Sequence, residues 1–524
     1  MHSQHIDRPR ARRARGRARP ALALAAALAA LAALAGLTAC AEDSPSAPDA
    51  SAKRAKSPAV SAAPARAPKK FFVNPVTGSD ANGGASTTPF KTLAKALSVS
   101  IAGDTVKLAA GKYSKAANGE KFSTSTQRVV VPNGVRIEGT LNSSGANATI
   151  LEGALGSPGS TGSEVGLNLA GSAVVTNVSV DRFDMGVRTI AGQQMLTHLS
   201  LGLTRFGLRA EFTAQTTLQN STVFVAGGAS TGVDIVDQAQ FTMDGGQLSG
   251  SASICSANLE FGTGIVGRRA AQVTLKNKAT LKDVSGVALD LRNTAVATLA
   301  NAVVSKSNPV GCAPKPRIRM LDSASLRLRQ NSVLSSTGGV GAIGIQSQTI
   351  RTLRIDTASV TGFTGAGVKA ASGKFTLVMN KGSILGNKVG VDAQAVTSAD
   401  ANITIAGSAL NSNQIGIVAP FFKLRKSTVA GNTRGVVLSA PFADLGQVGD
   451  PGNNLIINNL ITGVTFQSTL VCCGVWATGN TWNRSTQGAD ANGRYAPGLI
   501  IGGASALAKG ANFNLPNLNL AIQL

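Results

Sequence analysis

Histidine is almost missing from this chain. Three occur in 524 residues. His2 and His5 stand at the extreme N-terminus, so His198 alone remains in the body, and imidazole acid–base pairs and His-rich metal sites are excluded. Cysteine is nearly as scarce. Cys40, Cys255, Cys312, Cys472 and Cys473 are not arranged as C-x-x-C and have no histidine beside them, which excludes a zinc site. Aromatic residues make up 4% of the chain. Its only Tyr and Trp residues, Tyr113, Tyr495, Trp476 and Trp482, all fall near the ends, which predicts no aromatic sugar groove along the middle. Charged residues make up 15%, too few for a disordered polyelectrolyte. What the chain has instead is 59 Gly among many Ala, Val and Leu, the composition of a core built from stacked small and aliphatic residues.

The net charge of +24 suggests nucleic acid until it is divided along the chain. Residues 1–70 hold 13 of the 50 basic and four of the 26 acidic residues, which leaves 37 against 22, about +15, for the body. Those charges are scattered singly, without interleaved aromatics or zinc-ligand spacing, so nucleic acid is not expected as a partner.

The N-terminus reads as an export signal. Seven arginines between Arg8 and Arg19 precede an Ala/Leu run from Ala21 to Ala35 and a small-residue site ending at Cys40. The run is too short for a confident membrane span. Leu37-Thr38-Ala39-Cys40 resembles the bacterial lipobox, which implies that Cys40 is diacylated and becomes the mature N-terminus. Ala41 in place of Asp then implies delivery to the outer membrane or cell surface; an ordinary signal peptide cleaved nearby is the other reading. From Ala41 to Lys70 the chain is Ala, Ser, Pro, Lys and Arg, which cannot bury a core. The expected organisation is therefore a lipoprotein signal peptide over 1–39, a disordered lipid-anchored linker over 40–70, an N-terminal cap with the first coils over 71–140, and a repeating body with a C-terminal cap over 141–524.

Within the cap, Phe71–Val73 and Thr105–Leu108 alternate as strands. A helix is expected from Pro89 to Leu97, because Phe90, Leu93, Ala94 and Leu97 share one helical face. Beyond it a Gly–aliphatic pair recurs at Gly166, Gly186, Gly207, Gly232, Gly264 and Gly286, then at Gly344, Gly367, Gly390, Gly416, Gly435 and Gly463. Most steps lie near the low twenties, one turn of a three-strand coil, and the gap from Gly286 to Gly344 would hold two turns. The glycine is expected to supply a positive φ at a corner, the next residue to point inward and the one after outward. Arg209 would then sit beside Asp234 and Lys369 beside Asp392 on neighbouring coils. Asn387, Asn413 and Asn432, just before the corners, fit turns in which Asn adopts a left-handed conformation or bonds to the backbone. The steps are too short for an α/β solenoid or for four-stranded propeller blades. The sequence thus predicts an all-β fold, a single-stranded right-handed parallel β-helix (solenoid) with a short N-terminal capping helix. Both Trp residues and an alternating tail, Asn512–Leu524, would close the far end.

Gly78, Asp80, Gly84, Pro89-Phe90, Thr92, Ala96, Gly103-Asp104 and Gly111-x-Tyr113, continuing through Phe122, Pro132, Gly134-Val135 and Ile137-x-Gly139, resemble the N-terminal module of bacterial β-helix proteins of unknown function in the pectin-lyase-like group. Asp444-Leu445-Gly446, Gly452-Asn453, Gly479-Asn480-x-Trp482 and Gln487-Gly488-Ala489-Asp490 resemble the closing coils of that family. The resemblance implies a fold and no particular reaction. Galacturonan hydrolases of this fold carry paired Asp and Gly-His-Gly, which are absent here. Pectate-lyase relatives use an Arg or Lys base with carboxylates that hold Ca²⁺. The nearest match is Asp181-Arg182-Phe183-Asp184, with Arg205 about one coil later. Isolated surface charges explain these residues equally well.

Cys255 and Cys312 lie in longer segments between corners and are either a disulfide or two thiols, and Cys472-Cys473 either a vicinal disulfide or two thiols. The expected protein is an exported, membrane-anchored surface β-helix without catalysis, used for adhesion, contact with acidic glycans or spacing. The alternative is a polysaccharide lyase or glycoside hydrolase. No cofactor is expected, and Ca²⁺ only under the lyase alternative.

Overall fold

The computed structural model describes residues 66–155, 163–225, 230–250, 262–307, 315–337, 342–440, 442–447, 449–460, 462–466, 474–476, 479–482 and 499–501. Three parallel sheets of 16, 15 and 14 strands wind along one axis. One coil visits each in turn: Ala173–Thr176 in the first sheet, Val178–Asp181 in the second and Met185–Thr189 in the third, before Gln193–Thr197 re-enters the first beside its predecessor. The hand is right-handed, as for nearly all parallel crossovers.

The coils stack because like side chains superimpose. In the first sheet Val175, Leu196, Leu218, Met243, Leu275, Leu299 and Leu328 form one buried column, in register from coil to coil. In the third, Leu167, Val187, Leu208, Val233 and Ile265 do the same, each following its glycine as expected. The reason for the glycine differs from the expected one. None of the recurring glycines has a positive φ. A Cβ on Gly390 would instead stand 2.3 Å from the carbonyl oxygen of Gly416, and one on Gly416 2.4 Å from that of Gly435. The column is a close approach of backbones between coils.

Left-handed residues are found at the bends, where Asn177, His198, Asn220 and Asn301 turn the chain from the first sheet into the second. His198, the one histidine of the body, is thus a bend residue occupying a position that Asn fills elsewhere.

Gly286-Val287 is not a corner. The register aligns Leu289 with Ile265 and Ile318 with Leu289, so Ala288 and Arg317 occupy the glycine column there. Two turns do separate that corner from Gly344. Arg317 is 1% exposed, and burial pushes its guanidinium down to about 10.

The expected asparagines bond to the backbone and to each other. Asn387, Asn413, Asn432 and Asn459 form a buried ladder in which each side-chain amide donates to the next side-chain oxygen, at 3.0, 3.2 and 2.9 Å. Each also donates to a carbonyl of the preceding coil, and its backbone N–H donates to the same oxygen of the next asparagine.

The N-terminal capping helix starts later than the expected Pro89. The helix runs Leu93–Val99 and starts at the N-cap Thr92, while Phe90 bridges to Val73 as strand. Its first amides are all engaged: Thr92 accepts from Lys95, Asp80 from Lys91 and Thr92, and the buried Glu120 from Leu93 and Ala94. Asp104 is buried and accepts from Arg66, Lys69 and Ile101, so ordered chain reaches back from Phe71 to Arg66. Burial would raise the Asp104 carboxyl, but these donors outweigh it and hold it below the usual range. The segment to residue 65 with Cys40, the cysteines Cys255, Cys312, Cys472 and Cys473, the side chains of Trp476 and Trp482, and the tail Asn512–Leu524 lie outside the described residues.

Candidate functional site

The outward column of the third sheet carries an organised run of charge. Arg188, Arg209 and Asp234 stand in register on successive coils, as do Asp290 and Arg319. Arg209 neighbours Asp234 and Lys369 neighbours Asp392, as the sequence predicts. Glu211 accepts from Arg188 at 2.6 Å and lies 2.8 Å from Arg209; Arg268 reaches Asp234 at 2.6 Å. Asp290 takes a two-pronged bond from Arg319 at 2.9 and 2.7 Å and a second pair from Arg292. With Arg269 and Asp237 at the adjoining turn, six arginines meet four acids.

The two signs occupy different depths. Asp234 and Asp290 are fully buried, and Glu211 nearly so, whereas the arginine side chains remain a third to three quarters exposed. The buried acids fix the guanidinium forks in place and leave donors facing water, a surface suited to carboxylates or sulfates.

Burial alone would raise the Asp290 carboxyl, but Arg319 and Arg292 outweigh it and hold the group below the ordinary carboxylate range. A folded-state value below the unfolded one means stability that is present above about pH 4 and lost as the pH falls through the folded value. Asp290→Asn should therefore be less stable at pH 7 by on the order of 2 kcal/mol. It should also lose less than the parent on acidification, which denaturant titrations at pH 7 and pH 3 would show; parallel losses would contradict this.

The sequence candidates separate into two groups. Asp184 and Arg205 lock together at 2.6 and 2.9 Å. That hydrogen bond raises the Arg205 guanidinium further, the reverse of what a base needs. Asp181 instead stacks on Glu152 of the previous coil, a partner that sequence spacing did not reveal. Lys112 holds Glu152 at 2.9 Å and Arg182 approaches it at 3.6 Å. Burial pushes the Asp181 carboxyl above the usual range, and Glu152 adds to the rise against Arg182 and Lys112. One Asp181 oxygen has no hydrogen-bond partner, and the next coil places Gly202 beside it, so no side chain covers the pair from that side. Among the described residues no three His, Cys, Asp or Glu side chains gather as metal ligands. Two carboxylates, one already held by Lys112, fall short of the six to eight oxygens typical of calcium.

Two aromatic residues meet the arginines here: the Phe206 ring lies under Arg205 and Arg209, with guanidinium carbons 4.4 and 5.7 Å from its centre, and Phe212 stands at the turn that follows. Phe212 projects, 55% exposed, beside Arg209, Arg268 and Arg269.

Three stacked parallel sheets wound along one axis define a parallel β-helix. The chain belongs to the family described as a protein of unknown function (DUF1565), whose model matches residues 76–291 and again 271–487. The match extends well beyond the N-terminal module that carries the resemblance in sequence. No curated relative matches the chain. Among solved structures it is similar to a pectate lyase, Pel9A, at 14% identity and a TM-score of 0.35, over 67% of this chain and 80% of that one. It is also similar to the A-module of the mannuronan C-5 epimerase AlgE6 of Azotobacter vinelandii, at 14% identity and a TM-score of 0.33, over 76% and 89%. The alginate lyase from Paenibacillus sp. str. FPU-7 is a third, at 14% and 0.29, over 61% and 97%. These are likenesses of architecture and say nothing of this chain's chemistry.

Proposed function

We propose that the chain is an exported, lipid-anchored surface protein whose third sheet binds acidic polysaccharide without cleaving it. The signal-like N-terminus, the lipobox-like segment at Cys40 and the linker support export and anchoring. The single observation that carries the binding reading is the arginine ladder, in which five of six successive coils present arginine outward over buried acids, the coil of Asp234 supplying an acid alone. A linear polyanion laid along the helix axis meets a guanidinium repeatedly, with coils about 4.8 Å apart.

The second reading is a lyase or hydrolase acting on acidic polysaccharide, and the Glu152–Asp181 stack beside Lys112 and Arg182 favours it. Asp181, its carboxyl raised by burial, is a candidate base, and Lys112 and Arg182 are the cations beside the stack that could face a uronate carboxylate. One experiment separates the two. The purified protein is mixed with acidic and neutral polysaccharides, with and without Ca²⁺, and both binding and new reducing or unsaturated ends are measured. Binding of the acidic chains with no new ends is the expected result. New ends that vanish in Asp181→Ala would replace it with the second reading, and absence of binding would refute the first.

A further inference from the structure

We propose that the turn at Phe212 is a sugar-recognition subsite of the arginine face, selective for a uronate-containing chain. The Phe212 ring stacks on a pyranose, and Arg269 with Arg268 takes a carboxylate of the same chain. This inference rests on the binding reading above.

The first argument is conformational. In five successive coils, where the chain turns from the third sheet back into the first, one residue adopts the left-handed conformation: Phe212, Asp237, Arg269, Asn293 and Asp322, with φ of 53, 63, 59, 58 and 58°. Asp237, Asn293 and Asp322 use their side chains at this bend, each accepting the backbone N–H of the residue one coil earlier, at 3.4, 3.2 and 2.9 Å. Short polar residues tolerate this conformation, whereas a bulky aromatic does so only at a cost. Phe212 contributes no such bond and leaves its ring 55% exposed instead of recovering the cost by burial. A strained residue with no packing benefit points to a role outside folding.

The second argument is what surrounds it. A groove of about 400 Å³ is lined by Phe212, Arg209, Glu211, Asp237, Arg268 and Arg269. Asp237 holds Arg269, whose side chain is still 73% exposed, and the buried Asp234 holds Arg268. An apolar ring face beside oriented guanidinium groups matches a ligand with both an apolar ring face and an anion. A bare polyanion would use the arginines alone, and a neutral glycan the ring alone.

The test measures binding of polygalacturonate and of inorganic polyphosphate to the full chain and to Phe212→Asn and Arg269→Gln. Asparagine is the residue this bend uses one coil after Arg269, so Phe212→Asn should fold at least as stably as the parent. Phe212→Asn should weaken polygalacturonate binding about fivefold and leave polyphosphate binding unchanged. Arg269→Gln should weaken both. Unchanged polygalacturonate binding in Phe212→Asn, or an equal loss of polyphosphate binding, would overturn the subsite while leaving the arginine face in place. Failure of the parent protein to bind either polyanion at low salt would overturn the face itself, and the subsite with it.

Discussion

Gly390→Ala should destabilise the central coils by about 3 kcal/mol, an upper-range cost for added core volume. The added methyl group would lie 2.3 Å from the Gly416 carbonyl oxygen, far inside contact distance, and the obstacle is backbone rather than a side chain that can swing away. Relief requires separating two coils, which lengthens the parallel hydrogen bonds joining Val389 to Ile415 and Val391 to Ile417. Backbone conformation is not the issue, because Gly390 does not have a positive φ. Gly83→Ala is the control: nothing lies within 4 Å of its added methyl, and its stability should stay within about 0.5 kcal/mol of the parent. Because a solenoid can open locally, hydrogen exchange should be read coil by coil alongside denaturant unfolding. Equal stability of the two variants would mean that the glycine column is not a close-packed seam.

Asn413→Leu should cost about 4 kcal/mol despite its similar branched shape. Asn413 accepts the backbone N–H and the side-chain amide of Asn387, and donates to Ile384 and Asn432. Leucine leaves the Asn387 backbone N–H and one of its side-chain amide hydrogens buried and unbonded, each at about 1–3 kcal/mol. Because the ladder is cooperative, adding Asn387→Leu to this variant should cost less than the sum of the two single changes. A loss under about 1 kcal/mol for Asn413→Leu, or strict additivity, would show that the ladder is not a connected unit.

The features that repeat with the coil were legible in the sequence. Aliphatic residues after each glycine mark the inward column, and the pairing of Arg209 with Asp234 and of Lys369 with Asp392 follows from counting coils. Glycine itself is ambiguous, since a positive φ and a close backbone approach both demand it, and at Gly390 only the second applies. Counting fails where Ala288 and Arg317 stand in the glycine column, because neither resembles the residue it replaces. The partners of the candidate site were hidden for a related reason. Glu152 and Lys112 reach Asp181 through coils whose lengths vary, so their separation in sequence carries no signature. A search for Tyr and Trp platforms does not reach Phe212, which is phenylalanine. A usable signal was present: an aromatic at the bend that Asp237, Asn293 and Asp322 occupy in later coils.

The arginine face is tested most directly by the salt dependence of polyuronate binding, compared between the parent and an Arg188→Gln, Arg319→Gln double variant. Both arginines can be removed without stranding a buried acid, because Glu211 keeps Arg209 and Asp290 keeps Arg292. The prediction is tight binding at low ionic strength that falls steeply as salt rises, with a weaker and shallower dependence in the variant. Binding that ignores salt, or a variant indistinguishable from the parent, would contradict a polyanion-binding third sheet.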